Sequence, residues 1–143
     1  MDRELKLKNV KTWIARVLIG LVLLDNFQAA IIFLIFPQRI SPGFELTGGA
    51  GNAAIQGIGL LFLMWCVPYF IATLNPARHK ISFIESILMQ TIALVGETIL
   101  LFLLPTKLPV LTASVQRFIL FDGIGLVFLV IAAVVLWLPR KSG

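Results

Sequence analysis

Residues 12–36 read TWIARVLIGLVLLDNFQAAIIFLIF, a run in which only Arg16 and Asp25 carry formal charge. A helix rises 1.5 Å per residue, so about 20 apolar residues cross the ~30 Å hydrocarbon layer of a bilayer. This run is long enough to span, and it stops at Pro37, because the residue before a proline is held out of helical geometry. Three comparable runs follow, at 52–73, 76–104 and 113–138, the last two ending before Pro105 and Pro139. The sequence therefore predicts an all-α membrane protein, a four-transmembrane-helix bundle forming a single domain over residues 1–143.

Composition points the same way. Of the 143 residues, 59% are hydrophobic and 13% charged, and the mean hydropathy is +0.98. A soluble domain covers itself with polar side chains, and this chain has too few. The net charge of +5 does not indicate a nucleic-acid partner, because the basic residues flank the apolar runs instead of forming a stripe for a phosphate backbone. The partner that the composition demands is the lipid bilayer.

The basic residues set the orientation. Nine of the twelve lie at the amino end (Arg3, Lys6, Lys8, Lys11, Arg16), in the 74–80 loop (Arg78, Lys80) and at the carboxyl end (Arg140, Lys141). The other two loops hold Arg39, Lys107 and Arg117. Cytoplasmic loops are enriched in Lys and Arg, so both termini and the 74–80 loop are expected in the cytoplasm. Trp13, Trp137 and Tyr69 fall near the same face, as an aromatic belt would. The amino end imitates a signal peptide, but its apolar run is too long and no small-residue cleavage motif follows it, so it reads as a retained span.

Local signals refine the boundaries. Gly48-Gly49-Ala50-Gly51 is expected as a flexible turn; without a preceding strand or a Lys-Ser/Thr ending it is not a phosphate loop. Pro68 predicts a kink in the second span, since it cannot donate to the Met64 carbonyl. The third span has two candidate starts, Asn75-Pro76 and the capping-box pattern Ser82-Phe83-Ile84-Glu85. A short interfacial turn from Pro76 leading into the span is favoured.

The informative residues are polar ones at membrane depth: Asp25, Asn26 and Gln28 in the first span, Gln56 in the second, Gln90 and Glu97 in the third, Asp122 in the fourth. A charged group there costs at least ~2.5–3.5 kcal/mol on insertion scales unless it faces protein or water. Alternating helix direction places Asp25, Gln56, Glu97 and Asp122 toward the extracytoplasmic side, which predicts one polar cluster and a carboxylate-containing pocket there. Ser82, Ser86, Gln90, Ala93 and Glu97 fall on one helix face, and Gly125 shares a face with Asp122, inviting close approach. Asp25, Asn26, Gln56, Gln90, Glu97 and Asp122 are the ligand-binding or proton-linked candidates. The alternative is that the amides, and even the carboxyls, only hold the bundle together. Arg117 is placed to neutralise Asp122, and Arg16 to pair with Glu85 if their spans are neighbours. The competing roles are headgroup snorkelling for Arg16 and capping for Glu85.

Several chemistries are excluded by residue count. Cys66 is the only cysteine and His79 the only histidine, so no intrachain disulfide, CxxC pair, bis-histidine haem or ordinary His/Cys zinc site can form. No metal and no cofactor is expected beyond a lipid or quinone held among the helices; a hard cation on the carboxylates has only weak support.

The opening of the first span, Ala15-Arg16-Val17-Leu18-Ile19-Gly20-Leu21, with its arginine and then glycine, resembles that of DoxX-like small membrane proteins. Size and helix count fit that family as well, whereas Asp25-Asn26 stand where such proteins commonly carry small residues. The resemblance implies a protein of the bacterial cytoplasmic membrane, the small anchor or quinone-facing subunit of a redox complex. Three functions remain in view from the sequence: a non-enzymatic subunit or binding module; a small proton- or cation-coupled transporter using Asp25 or Glu97, which needs a homodimer or larger complex to enclose a path; and, below both, acid–base chemistry on a lipid-like substrate.

Overall fold

The computed structural model describes residues 2–137; Pro139, Arg140 and Lys141, used above as a stop signal and topology markers, lie outside the described residues. The chain forms α1 (Asp2–Ile35), α2 (Pro37–Ile40), a 3₁₀ turn (Ser41–Phe44), α3 (Gly48–Leu74), α4 (Lys80–Leu103) and α5 (Pro109–Trp137). α1, α3, α4 and α5 are each long and apolar enough to cross a membrane. They are a four-span helical bundle, and the protein is a multi-pass membrane protein. Its outer surface is what such a bundle needs: Phe102, Ile81 and Leu103 are 83%, 75% and 73% exposed, which only lipid accommodates.

The four spans stand in a ring in chain order. α1 packs on α3 and α5, and α4 packs on α3 and α5, leaving α1 and α4 on one diagonal and α3 and α5 on the other. Sequential antiparallel neighbours are the expected result of short connections. Burying apolar surface gives little drive between helices in lipid, so close packing of small residues and interhelical hydrogen bonds carry association. At the basic end the core is built that way, from Ala15, Ile19, Ala72, Phe83, Leu129 and Ala132, all fully buried. In α3, Gly59 packs on α1 so closely that a Cβ there would lie 3.0 Å from both Phe33 Cβ and Leu34 Cγ.

Element ends differ from the sequence expectation in instructive ways. α1 begins at Asp2, well before residue 12, because its basic first turns continue the helix beyond the apolar run. The four residues Gly48–Gly51 are the first turn of α3, not a flexible linker, with only Gly48 in the left-handed region at φ +70°. Gly51 is needed there because a Cβ would meet Leu46 at 3.0 Å. After α3, Asn75 holds a turn by accepting the amides of Arg78 and His79 at 3.1 and 2.8 Å, and α4 then starts at Lys80. The Pro76 turn is present, but it is separate from the span. The Ser82 hydroxyl forms no capping box, and the Ser82 carbonyl instead accepts from Ser86 Oγ at 2.8 Å. Pro68 lies inside α3, which continues through it.

The link between α1 and α3 is a folded cap. Glu45 ends the 3₁₀ turn at φ +56°, a left-handed conformation that few residues other than glycine adopt. Its carboxylate accepts the Val110 amide at 3.1 Å, satisfying a donor in the first turn of α5. Ser114, on α5, donates to the Gly43 carbonyl. The cap is therefore fastened to α5 at two points.

Candidate functional site

Three features can be distinguished: two groups of polar residues at membrane depth, and a cavity. The first is a buried ladder across α3, α4 and α5. The Tyr69 hydroxyl donates to Gln90 Oε1, with the Ser86 carbonyl also within reach at 3.1 Å. Gln90 Nε2 donates to Asp122 Oδ1 at 2.8 Å and to the Asp122 carbonyl at 3.2 Å. The amide can face only one way, because a phenol must donate to its oxygen and a carbonyl can only accept from its nitrogen. The Glu97 carboxyl is a neighbour of the Asp122 carboxyl. Gln90 and Glu97 are two turns apart on one face of α4, and Asp122 on α5 is bonded to Gln90.

Two buried acceptors near this ladder meet no donor. Glu97 Oε2 is one; the other is Oδ1 of Asn26, a fully buried residue whose Nδ2 donates to its own helix at Val22. Unpaired buried polar atoms are uncommon and mark places where a proton, water or ligand is accommodated. Gly125 makes the ladder geometrically feasible, since an ideal Cβ there would stand 2.6 Å from Gln90 Nε2 and 3.4 Å from Val22 Cγ1. The close approach expected at Gly125 is found, and its cause is the Gln90 amide.

The second group faces outward. Asp25 and Gln28 are exposed on the surface of α1, away from the ladder. Gln56 is also exposed, and its Nε2 donates to the Leu34 carbonyl at 3.2 Å, near the end of α1. The single cluster expected from shared depth is thus not assembled. Depth along a helix is set by residue number, whereas the face depends on rotation about its axis, and Asp25 and Asn26 are 100° apart.

The third is a cavity: a pocket was expected at this end, but lined by carboxyls, whereas this one has no Asp or Glu in its lining. It has a volume of about 330 Å³ and opens at the end remote from the basic termini, bounded by α1, α3, α5 and the 37–44 cap. Phe33, Phe44, Phe62, Phe118 and Phe121 wall it. The Phe33 ring stands edge-on to Phe44 and Phe62, with centroids 6.1 and 5.6 Å away, and Phe118 lies 6.0 Å from Phe62 across the α3–α5 diagonal. Edge-to-face rings at these spacings favour each other and make stiff walls. Arg39 and Arg117 are its charged lining residues. Arg117 donates to the Ala113 carbonyl at 3.3 Å and to Ser114 Oγ at 3.1 Å. Arg39 lies with its guanidinium carbon 5.1 Å from the centroid of Phe36. The only sequence sign of this site was a set of phenylalanines on three helices, which reads equally well as lipid-facing residues.

The remaining candidates have local roles. Arg16 does not reach Glu85, because α1 and α4 are diagonal. Arg16 Nε donates instead to the Thr73 carbonyl at 2.9 Å, in the last turn of α3, where unpaired carbonyls and the helix dipole favour a cation. Gly20, one turn on, faces the Thr73 methyl at 3.6 Å from an ideal Cβ, so the Arg-then-Gly pattern of α1 serves α3. Arg117 is turned toward Ser114 and leaves Asp122 to Gln90 and Glu97. Tyr69, expected in an aromatic belt, is fully buried, whereas Trp13 and Trp137 are exposed. Among the described residues no group of three His, Cys, Asp or Glu side chains converges on a metal position. No family model, curated protein or solved structure matches the chain.

Proposed function

We propose that this membrane protein is a non-enzymatic binding module whose site is the phenylalanine-walled cavity, the pocket lying at the extracytoplasmic end in the orientation given by the basic residues. One observation carries the reading: a preformed cavity of about 330 Å³ with stiff aromatic walls and two arginines. Ligand sites are typically concave, mostly apolar and furnished with a few polar groups that fix orientation. The polar groups of this pocket are cationic, so the carboxyls of Glu97 and Asp122 belong to the ladder and not to the ligand. A lipid or a quinone entering from the membrane suits such a pocket, and a quinone would agree with the DoxX-like resemblance.

The test is native mass spectrometry of the protein released from native-lipid nanodiscs. A discrete adduct is expected on the wild-type chain and is expected to weaken on Phe118→Trp, whose larger ring takes up part of the cavity. A bare wild-type protein, or an adduct indifferent to Phe118→Trp, would refute the reading.

A second reading, proton-coupled transport, is favoured by the neighbouring Glu97 and Asp122 carboxyls, with the Gln90–Tyr69 ladder leading from them toward the basic end. Intramembrane carboxyls mark proton paths. Glu97, not the outward-facing Asp25, is the residue for this role. Proteoliposomes that pass no more protons with wild type than with Glu97→Gln would remove it. Asp25 suits a second copy of the chain, which would cover a carboxyl otherwise left in lipid.

A further inference from the structure

We infer that the cavity selects amphipaths with an anionic head, the guanidiniums of Arg39 and Arg117 engaging the head while the phenyl rings hold the adjoining apolar segment; the inference rests on the cavity being a binding site. The charge of the lining is one-sided, with two arginines and no acid. Glu45, the nearby carboxylate on the cap, is committed to the Val110 amide at 3.1 Å.

Neither arginine forms an ion pair among the described residues. Arg117 uses its Nε and one Nη2 proton on Ala113 and Ser114, and Arg39 has only the Phe36 ring. A guanidinium presents five N–H groups, so three remain on Arg117 and all five on Arg39. Their fork matches the oxygens of a phosphate or carboxylate. The Ser114 hydroxyl, 6% exposed, accepts from Arg117 and donates to Gly43, so it fixes one guanidinium against both α5 and the cap.

Depth suits an anionic head. Arg117 follows Pro109, the first residue of α5, by eight positions, which is about 12 Å of helix. α5, at 29 residues, outreaches the ~30 Å hydrocarbon layer, so Arg117 stands near the interface, where a lipid-borne anionic head would meet it. Size limits the rest of the ligand. About 330 Å³ is at the low end for small-molecule sites, which run from about 300 to 1,000 Å³. The cavity holds a ring or one length of acyl chain, and the remaining tail stays in the bilayer.

An anionic phospholipid and a single-chain phosphate or carboxylate share this chemistry, and the test separates them. The full chain is placed in phosphatidylcholine nanodiscs, and 1:1 adducts with dodecyl phosphate, dodecanoate and neutral dodecanol are titrated by native mass spectrometry. A parallel set of nanodiscs contains phosphatidylglycerol. Hydrogen bonds to a charged group are worth enough for about tenfold each in affinity. We expect a dodecyl phosphate or dodecanoate adduct that weakens at least ~10-fold on Arg39→Gln and again on Arg117→Gln, is partly kept by Arg117→Lys, and weakens on Phe118→Trp. A phosphatidylglycerol adduct with the same sensitivities identifies the bilayer as the source, and its absence identifies the single-chain acid. Dodecanol binding as tightly as dodecyl phosphate, still weakened on Phe118→Trp, would overturn the selection for anions while leaving the pocket intact. Adducts indifferent to Phe118→Trp would overturn the pocket and this inference together. Arg39 lies on the exposed cap, so its variant remains informative even if Arg117→Gln impairs folding.

Discussion

Gly125→Ala is the substitution whose outcome the geometry constrains most tightly. The added methyl carbon would stand 2.6 Å from Gln90 Nε2, closer than any tolerable contact, and 3.1 Å from Gln90 Cδ. A free glutamine would swing aside, but this amide is tied to Tyr69 through its oxygen and to Asp122 twice through its nitrogen. Its displacement forfeits the two Asp122 bonds, at about 0.6 kcal/mol each for interhelical bonds in membranes. Overpacking adds about 1–3 kcal/mol, and the helix preference of alanine over glycine offsets about 0.5–1 kcal/mol. The net expectation is a loss of roughly 1–4 kcal/mol. Unfolding in mixed micelles by SDS titration, followed by circular dichroism, measures it. The same substitution in a Gln90→Ala background should cost almost nothing, since the clashing group is gone, giving a coupling energy of at least ~1 kcal/mol. Gly96→Ala is the control: no atom lies within 4 Å of its ideal Cβ, so it should be neutral or slightly stabilising. Equal cost for Gly125→Ala in both backgrounds, or no cost in the wild type, would refute the reasoning.

Three other expectations follow from the same contacts. Tyr69→Phe leaves Gln90 Oε1 without its donor and should destabilise by about 1–2 kcal/mol in the same titration, and a neutral result would mean that the phenol is not the donor. Ser114→Ala removes the tie to Gly43 and should speed amide hydrogen exchange over residues 43–46 while leaving α4 unchanged; unchanged exchange in the cap would show that Glu45 and the Ser41–Asn52 bond suffice to hold it. Asp25→Leu removes a carboxyl exposed on the surface of α1, ten residues before its end at Ile35, and should stabilise the protomer by an amount of order ~2.5–3.5 kcal/mol while abolishing a cross-linkable dimer. A dimer that survives Asp25→Leu would rule out a second copy as what covers this residue.

The amino-acid sequence by itself determined the number of spans, their approximate positions and the partition between lipid and water. These depend on the length of apolar runs, the placement of prolines and the distribution of charge, which are all one-dimensional. It also determined that Gln90 shares a face with Ser86 and Glu97, and that Gly125 shares one with Asp122, because helical rotation is fixed at 100° per residue. Which faces meet was decided only in three dimensions. Whether Arg16 finds Glu85 or Thr73 depends on α1 lying beside α3 and diagonal to α4, and no residue of either helix encodes that alone. Adjacent Asp25 and Asn26 illustrate the same point, one exposed and one fully buried. The cavity was least legible of all. Its walls come from three helices and a short cap, and a phenylalanine that lines a pocket has the same sequence signature as one that faces lipid.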